Sequence, residues 1–210
     1  MLFRLRNDVI AFPNPALAED DGLLAIGGDL SAERLTLAYA SGIFPWYSDD
    51  DPILWYSPPM RCVLFPDKIN ISKSMQRLFR KEVFNITVNK AFSSVIRSCA
   101  AIQRPGQDGT WINDDMQEAY IELNRKGIAK SIEIWKGDEL AGGLYGVEIN
   151  DIFCGESMFS AYPNASKAAL IALCTQMNYR LIDCQIPNPH LMSMGAEMMD
   201  RAVYLQYLTL

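Results

Sequence analysis

The stretch from Ser131 to Ser157 constrains the fold more than any other part of the chain. It holds three runs of strand-forming residues: Ser131-Ile132-Glu133-Ile134-Trp135, Leu140-Ala141-Gly142-Gly143-Leu144-Tyr145-Gly146-Val147-Glu148-Ile149, and Ile152-Phe153-Cys154-Gly155-Glu156-Ser157. Only Lys136-Gly137-Asp138-Glu139 and Asn150-Asp151 separate them. Turns that short fold a strand back beside its predecessor, whereas parallel neighbours need a crossover of about a dozen residues. The segment therefore predicts an antiparallel meander. Through Ser160-Ala161-Tyr162-Pro163-Asn164 it leads to a helix at about 165–178 and then to an apolar strand over 181–186.

Upstream, Cys62-Val63-Leu64-Phe65 reads as a short strand, Ser72 opens a helix, and residues 84–88 alternate as a half-buried strand. Residues 90–102 and 114–126 have helical spacing, with Met116, Ala119, Tyr120 and Leu123 on one side and Gly127 as a C-terminal stop. Residues 1–60 differ in kind. They are dense in Pro, Gly and aromatics and read as a turn-rich cap with one helix, N-capped by Ser31 and ending near Ser41-Gly42. No Lys-Ser/Thr follows the glycines of Gly22 to Leu30, so that run is not a phosphate loop. The expected organisation is α/β (α+β): a small N-terminal domain over 1–60, and a mixed sheet with flanking helices over 61–210. Meander, loop, helix and strand in that order are similar to the acetyltransferase folds of the GCN5-related type.

Composition removes several function classes. A formal charge of -6 weighs against a surface that grips nucleic acid throughout, so any RNA contact must be local. Five cysteines are an odd count without a CxxC pair and lie in apolar runs, which argues against disulfides. The single histidine, His190, leaves little material for a zinc site or a Cys-His nucleophile. The first residues, Met1 to Asn7, are too charged for a signal peptide, and no apolar run reaches roughly 18 residues, so a cytoplasmic location without membrane insertion is expected.

Strand alternation puts Asp183 and Gln185 on one side of the 181–186 strand and Ile182, Cys184 and Ile186 on the other, facing the core. An acid and an amide side by side at the C-terminal end of a strand fit a site, or else hydrogen bonds to neighbouring backbone. Glu156 ends an otherwise apolar strand, where a carboxylate is costly unless paired, and so implies a cationic partner, either the chain's own or a ligand's. Lys73, Arg77, Arg80 and Lys81 fall on one helix face opposite Met75, Leu78 and Phe79, as a solvated amphipathic helix or a phosphate-binding one. Trp46 and Trp111 stand in Gly/Pro-containing loops and are either buried or free to stack on a base.

Taken together, ordered stretches along nearly the whole chain resemble the bacterial leucyl/phenylalanyl-tRNA-protein transferase family. They are Gly22-Leu23-Leu24-Ala25, Gly27-Gly28-Asp29-Leu30-Ser31, Gly42-Ile43-Phe44-Pro45-Trp46-Tyr47, Gly109-Thr110-Trp111-Ile112, Gly142-Gly143-Leu144-Tyr145-Gly146, Gly155-Glu156-Ser157-Met158-Phe159-Ser160, Asn164-Ala165-Ser166-Lys167 and Ile182-Asp183-Cys184-Gln185. The resemblance implies transfer of Leu, Phe or sometimes Met from aminoacyl-tRNA to the α-amine of proteins beginning with Arg or Lys, marking them for degradation by the N-end rule. It further implies a monomer that uses no metal or coenzyme.

By the same resemblance Asp183 and Gln185 handle the acceptor amine and Glu156 lies near the acceptor's first residue. Trp46 and Trp111 surround the tRNA 3′ adenosine. Phe153, Met158 and Phe159 hold the aminoacyl side chain, in competition with plain core packing, and Lys73, Arg77, Arg80 and Lys81 contact tRNA. Asn70, Lys130 and Ala161 depart from the family's usual His, His and Arg, which bears on acceptor preference, tRNA affinity or rate rather than reaction class. Mechanistically, Gln185 is expected to orient the amine, Asp183 to polarise Gln185 or receive the proton, and Glu156 to fix the cationic acceptor. The alternatives are a coenzyme A-dependent N-acetyltransferase, although residues 157–165 lack the Gly-rich pyrophosphate loop, and a non-catalytic adaptor that binds aminoacyl-tRNA or basic N-termini.

Overall fold

A computed structural model of the chain describes residues 2–102 and 110–209. In chain order its elements are β1 (Phe3–Leu5), β2 (Leu23–Gly27), α1 (Ala32–Ala40), β3 (Phe44–Pro45), β4 (Leu54–Tyr56), β5 (Met60–Leu64), α2 (Lys73–Arg80), β6 (Asn85–Val88), α3 (Phe92–Ala101) and α4 (Asp114–Arg125). There follow β7 (Ala129–Lys136), β8 (Glu139–Ile149), β9 (Ile152–Ser160), α5 (Ala165–Gln176), β10 (Leu181–Gln185), α6 (Pro189–Ser193), β11 (Glu197–Asp200) and α7 (Arg201–Leu208).

The meander forms as its turns require: β7 pairs antiparallel with β8, and β8 with β9. α5 then carries the chain across one face, so that β10 returns parallel to β9. β5 and β11 extend this edge and β6 closes the other, giving the order β11-β5-β10-β9-β8-β7-β6. Helix boundaries follow the caps. The Ser31 and Ser72 side chains accept the N–H groups of Arg34 and Met75, the Asn113 side chain accepts that of Met116, and Gly127, at φ 78°, ends α4.

Apolar side chains fill both faces of the large sheet. On one face, α5 buries Ala168, Ala169, Leu170, Ile171 and Leu173 against Ile132, Leu144, Phe153 and Ile182. That close approach depends on Gly142, where an added Cβ would stand 2.5 Å from the Ala165 Cβ. On the other face, α1, α3, α4 and α7 bury Leu35, Tyr39, Val95, Ile96, Tyr120 and Tyr204 around Tyr145 and Cys154. The chain is thus a mixed α/β fold, and the second face is the one on which its polar residues converge.

Residues 1–60 carry more structure than a turn-rich cap. A four-stranded sheet, β1-β2-β4-β3, accompanies α1. Its strands run from two to five residues, too short for alternation to show in sequence. Leu24, Ala25, Trp55 and Phe44 belong to the same cluster as Val63, Tyr145 and Tyr204, so the apolar core runs without a break across position 60. The elements α6, β11 and α7 likewise do not show in the sequence pattern. Among the described residues no helix is long and apolar enough to cross a membrane.

Candidate active site

Two bulges in adjacent strands build the centre of the site. On β9, Tyr145 faces Ser157 and Gly146 faces Gly155, so Glu156 is the extra residue in the β8–β9 ladder. On β10, Asp183 faces Val63 and Gln185 faces Cys62, which leaves the ladder irregular at Cys184 and Gln185. Gln185 takes φ 61°, and the Ile186 N–H closes a tight turn onto the Cys184 carbonyl oxygen at 2.8 Å. A bulge bends a strand and re-aims its side chains. Here the two together bring the Gln185 amide within 2.5 Å of Glu156, with Nε2 donating to Oε1.

Among the described residues Glu156 has no cationic partner, so of the two partners the sequence allowed, the chain's own Arg or Lys is not found there. Its neighbours are neutral donors: Gln185, the Tyr120 hydroxyl at 3.2 Å on Oε2, and the Tyr39 hydroxyl, which is also hydrogen-bonded to Tyr120. Burial pushes its carboxyl up to about 7, and the Asp183 charge adds to the effect; hydrogen bonds from Tyr39, Gln185 and Tyr120 pull it partly back. Burial and the Glu156 charge raise both tyrosines well above their ordinary value, so they remain protonated donors.

Asp183 lies on the same face, as strand alternation requires, but is wholly enclosed. Its Oδ1 accepts from Arg61 Nε at 2.9 Å and from the Gln185 backbone N–H at 2.8 Å. Its Oδ2 accepts from Arg61 Nη2 and from the Tyr204 hydroxyl, each at 2.8 Å. These contacts occupy the roughly four acceptor positions of a carboxylate. The proton-receiving role expected of Asp183 therefore finds no open position, and its link to Gln185 runs through backbone rather than side chain. Ile182 and Cys184 pack on the α5 face, whereas Ile186, expected to do likewise, is 40% exposed.

The aromatic and basic residues distribute unevenly. Trp46, just beyond β3, is 41% exposed with its ring 5.7 Å from that of Tyr56, and Trp111 is half-buried against the core. Of the resembling stretch before Trp111, Gly109 lies outside the described residues, as do Met1 and Leu210. Phe153, Met158 and Phe159 do not share one face: Phe153 and Met158 pack on the α5 side and Phe159 on the opposite side near Val95. The bulge at Glu156 reverses the parity of β9 and so divides the expected pocket. Lys73, Arg77, Arg80 and Lys81 are exposed along α2, with Met75 buried beneath them. Lys130, one of the departures, pairs with Glu148, and Asn70 donates to the Ser193 carbonyl at 3.2 Å.

Sequence reasoning missed Arg61, Tyr204, Tyr39 and Tyr120. Arg61 carried the same signal as Glu156, a charge beside an apolar strand, whereas Tyr39 and Tyr120 fall in helices as ordinary core residues and Tyr204 lies in α7, which the sequence pattern does not show.

Two family models match the chain: leucyl/phenylalanyl-tRNA protein transferase over residues 63–209, and the N-terminal domain of that family over residues 28–59. A leucyl/phenylalanyl-tRNA–protein transferase of Flavobacterium johnsoniae is 52% identical over 200 residues, covering 94% of this chain and 94% of the relative. The protein of the same name from Lawsonia intracellularis is 48% identical over 213 residues, covering 100% of this chain and 93% of its own. Among solved structures, a GCN5-related N-acetyltransferase from Kribbella flavida is similar with a TM-score of 0.38 at 7% identity, over 76% of this chain and 57% of that one.

Proposed function

The chain belongs to the leucyl/phenylalanyl-tRNA protein transferase family, and on that premise we propose that it moves Leu, Phe or Met from aminoacyl-tRNA to the α-amine of proteins with N-terminal Arg or Lys. The reaction takes place in the cytoplasm, marks the acceptor for degradation, and needs one chain and no cofactor. The observation that carries this reading is the Gln185–Glu156 pair, an amide and a carboxylate 2.5 Å apart in a site otherwise lined by neutral donors.

The donor ester is already activated. The protein has to hold a neutral amine about 3 Å from the ester carbon and relieve it of a proton as the new bond forms. Gln185 spends an amide N–H on Glu156, which leaves its carbonyl oxygen to accept from the incoming amine and orient it. Glu156, ionised above about pH 7, supplies the negative charge that meets the basic first residue of the acceptor; among the described residues no cation neutralises it, which leaves that charge for the ligand. Asp183 acts through Gln185. Trp46 and Trp111 hold the 3′ adenosine by stacking, and Lys73, Arg77, Arg80 and Lys81 contact tRNA phosphates, which reconciles an acidic chain with an RNA ligand. Of the apolar trio, Phe159 shares the face of Glu156 and contacts the aminoacyl side chain. Phe153 and Met158 act from behind, by packing. In this division residues 1–60 contribute to the donor site through Trp46, and residues 61–210 carry the chemistry.

The test is to incubate the protein with Leu-tRNA and an Arg-initiated peptide and weigh the peptide by mass spectrometry. A gain of one leucyl group, abolished by ribonuclease, supports the proposal. Acetylation from acetyl coenzyme A that survives ribonuclease would replace it with the acetyltransferase reading, and binding without any mass change with the adaptor reading.

A further inference from the structure

Arg61 is a fully buried cation at the junction of three segments. From β5 it donates Nε and Nη2 to Asp183 on β10, and Nη1 to the Gly42 carbonyl oxygen at 3.2 Å, at the turn that opens β3. Its guanidinium lies between two aromatic rings, 4.7 Å from that of Phe44 and 4.8 Å from that of Tyr204. Burying such a pair is expensive, and well-packed apolar residues of equal volume often serve stability as well or better. The arrangement thus calls for a reason beyond stability.

That reason is the backbone of Gln185. A non-glycine residue at φ 61° occupies a region that costs on the order of 1–3 kcal/mol and persists only when its surroundings over-determine it. Beside the Ile186–Cys184 turn and the hydrogen bond to Glu156, it is held by Asp183 Oδ1, which accepts the Gln185 N–H at 2.8 Å. Oδ1 is in turn held by Arg61 Nε. If Gln185 relaxed to extended backbone the ladder would run on without its irregularity, and the bend that aims the Gln185 amide at Glu156 would be lost. The Gly42 contact adds a second consequence: the same guanidinium fixes the start of the segment that ends in Trp46, four residues on.

We propose that Arg61 is a positioning residue for the transfer reaction: through Asp183 it holds Gln185 in its turned conformation, and through Gly42 it keys that conformation to the Trp46 segment. A lysine at this position can neutralise Asp183 but lacks the planar fork that reaches Asp183 and Gly42 together. The kinetic consequence rests on the proposed transfer reaction; the conformational one does not.

Both are measured in Arg61→Lys and in the double variant Arg61→Met with Asp183→Leu, which replaces the ion pair by apolar volume and leaves no lone buried charge. Amide hydrogen exchange at Gln185, read without substrates, should accelerate about tenfold or more in each variant while Ile182 keeps its protection. In transfer assays kcat should fall about a hundredfold with the acceptor KM within about threefold, as expected for misplacement rather than weakened binding. A folded double variant with wild-type exchange at Gln185 and a kcat within about threefold of wild type would overturn the proposal. Should Arg61→Lys fail to fold, the double variant decides. A wild type that transfers nothing would count against the proposed function, while the exchange result would still decide the conformational claim.

Discussion

Replacing Glu156 by Gln removes a buried charge while keeping the shape of the site, and its effect on stability follows from the geometry. The Gln185 amide can still donate to the Oε1 position. The new amide N–H can donate to the Tyr120 oxygen, since a hydroxyl turns to suit its partner. What disappears is the penalty of ionising Glu156. A carboxyl moved from 4.5 to about 7 carries about 3 kcal/mol between its two protonation states, at ~1.4 kcal/mol per pH unit. The sign is fixed by linkage. Between pH 4.5 and about 7 the folded chain binds more protons at this residue than the unfolded chain, so its contribution is greatest below 4.5 and is lost as pH rises through about 7. The difference in unfolding free energy, Glu156→Gln minus wild type, should therefore grow by about 2–3 kcal/mol between pH 5 and pH 8 in favour of the variant. Urea denaturation at four or five pH values with matched slopes measures it, and subtracting wild type cancels the other carboxylates. A flat difference, or one that favours wild type at pH 8, would refute the assignment of Glu156 as a buried carboxylate whose ionisation the fold opposes.

Three further outcomes are expected. Replacing Arg77 and Arg80 with Ala should weaken tRNA binding and flatten its logarithmic salt dependence by about 0.7–0.9 for each phosphate no longer neutralised, read by filter binding at several salt concentrations; an unchanged slope would return α2 to a merely solvated helix. Gly42→Ala should destabilise the fold by about 1–3 kcal/mol in denaturant titration, because the residue sits at φ 71° and a Cβ would stand 2.5 Å from Leu205 Cδ2. Trp46→Ala should cost about 1–3 kcal/mol of aminoacyl-tRNA affinity with little loss of stability, given its exposed ring; equal affinity by fluorescence titration would remove Trp46 from the donor site.

The large sheet was legible where short turns left the chain no choice, as from Ala129 to Ser160, and where a helix separated two apolar strands, as with α5. The N-terminal sheet was not, because strands broken by Gly and Pro, such as Phe44–Pro45, depend on long-range pairing with β4 rather than on their own pattern. The same limit applied within the site. Alternation assigned Asp183 the correct face, but a bulge is a property of two strands at once. The turn at Gln185 and the parity change at Glu156 could therefore not be read from either strand alone. Glu156 was legible as a misplaced charge and its partners were not, since Tyr39 and Tyr120 come from helices 81 residues apart at these positions that meet only when α1 and α4 pack on one face.

Aminoacyl transfer, on the proposed mechanism, is organised by Gln185 at the turned end of β10. Single-turnover transfer from pre-bound Leu-tRNA to an Arg-initiated peptide, in wild type and in Gln185→Ala, tests it most directly when the donor dissociation constant is measured in parallel. The rate constant should fall about 10²–10³-fold, in the range seen when a transition-state hydrogen bond is removed, while donor affinity stays within about threefold. A Gln185→Ala enzyme that transfers near the wild-type rate, or one whose defect lies wholly in tRNA binding, would contradict it.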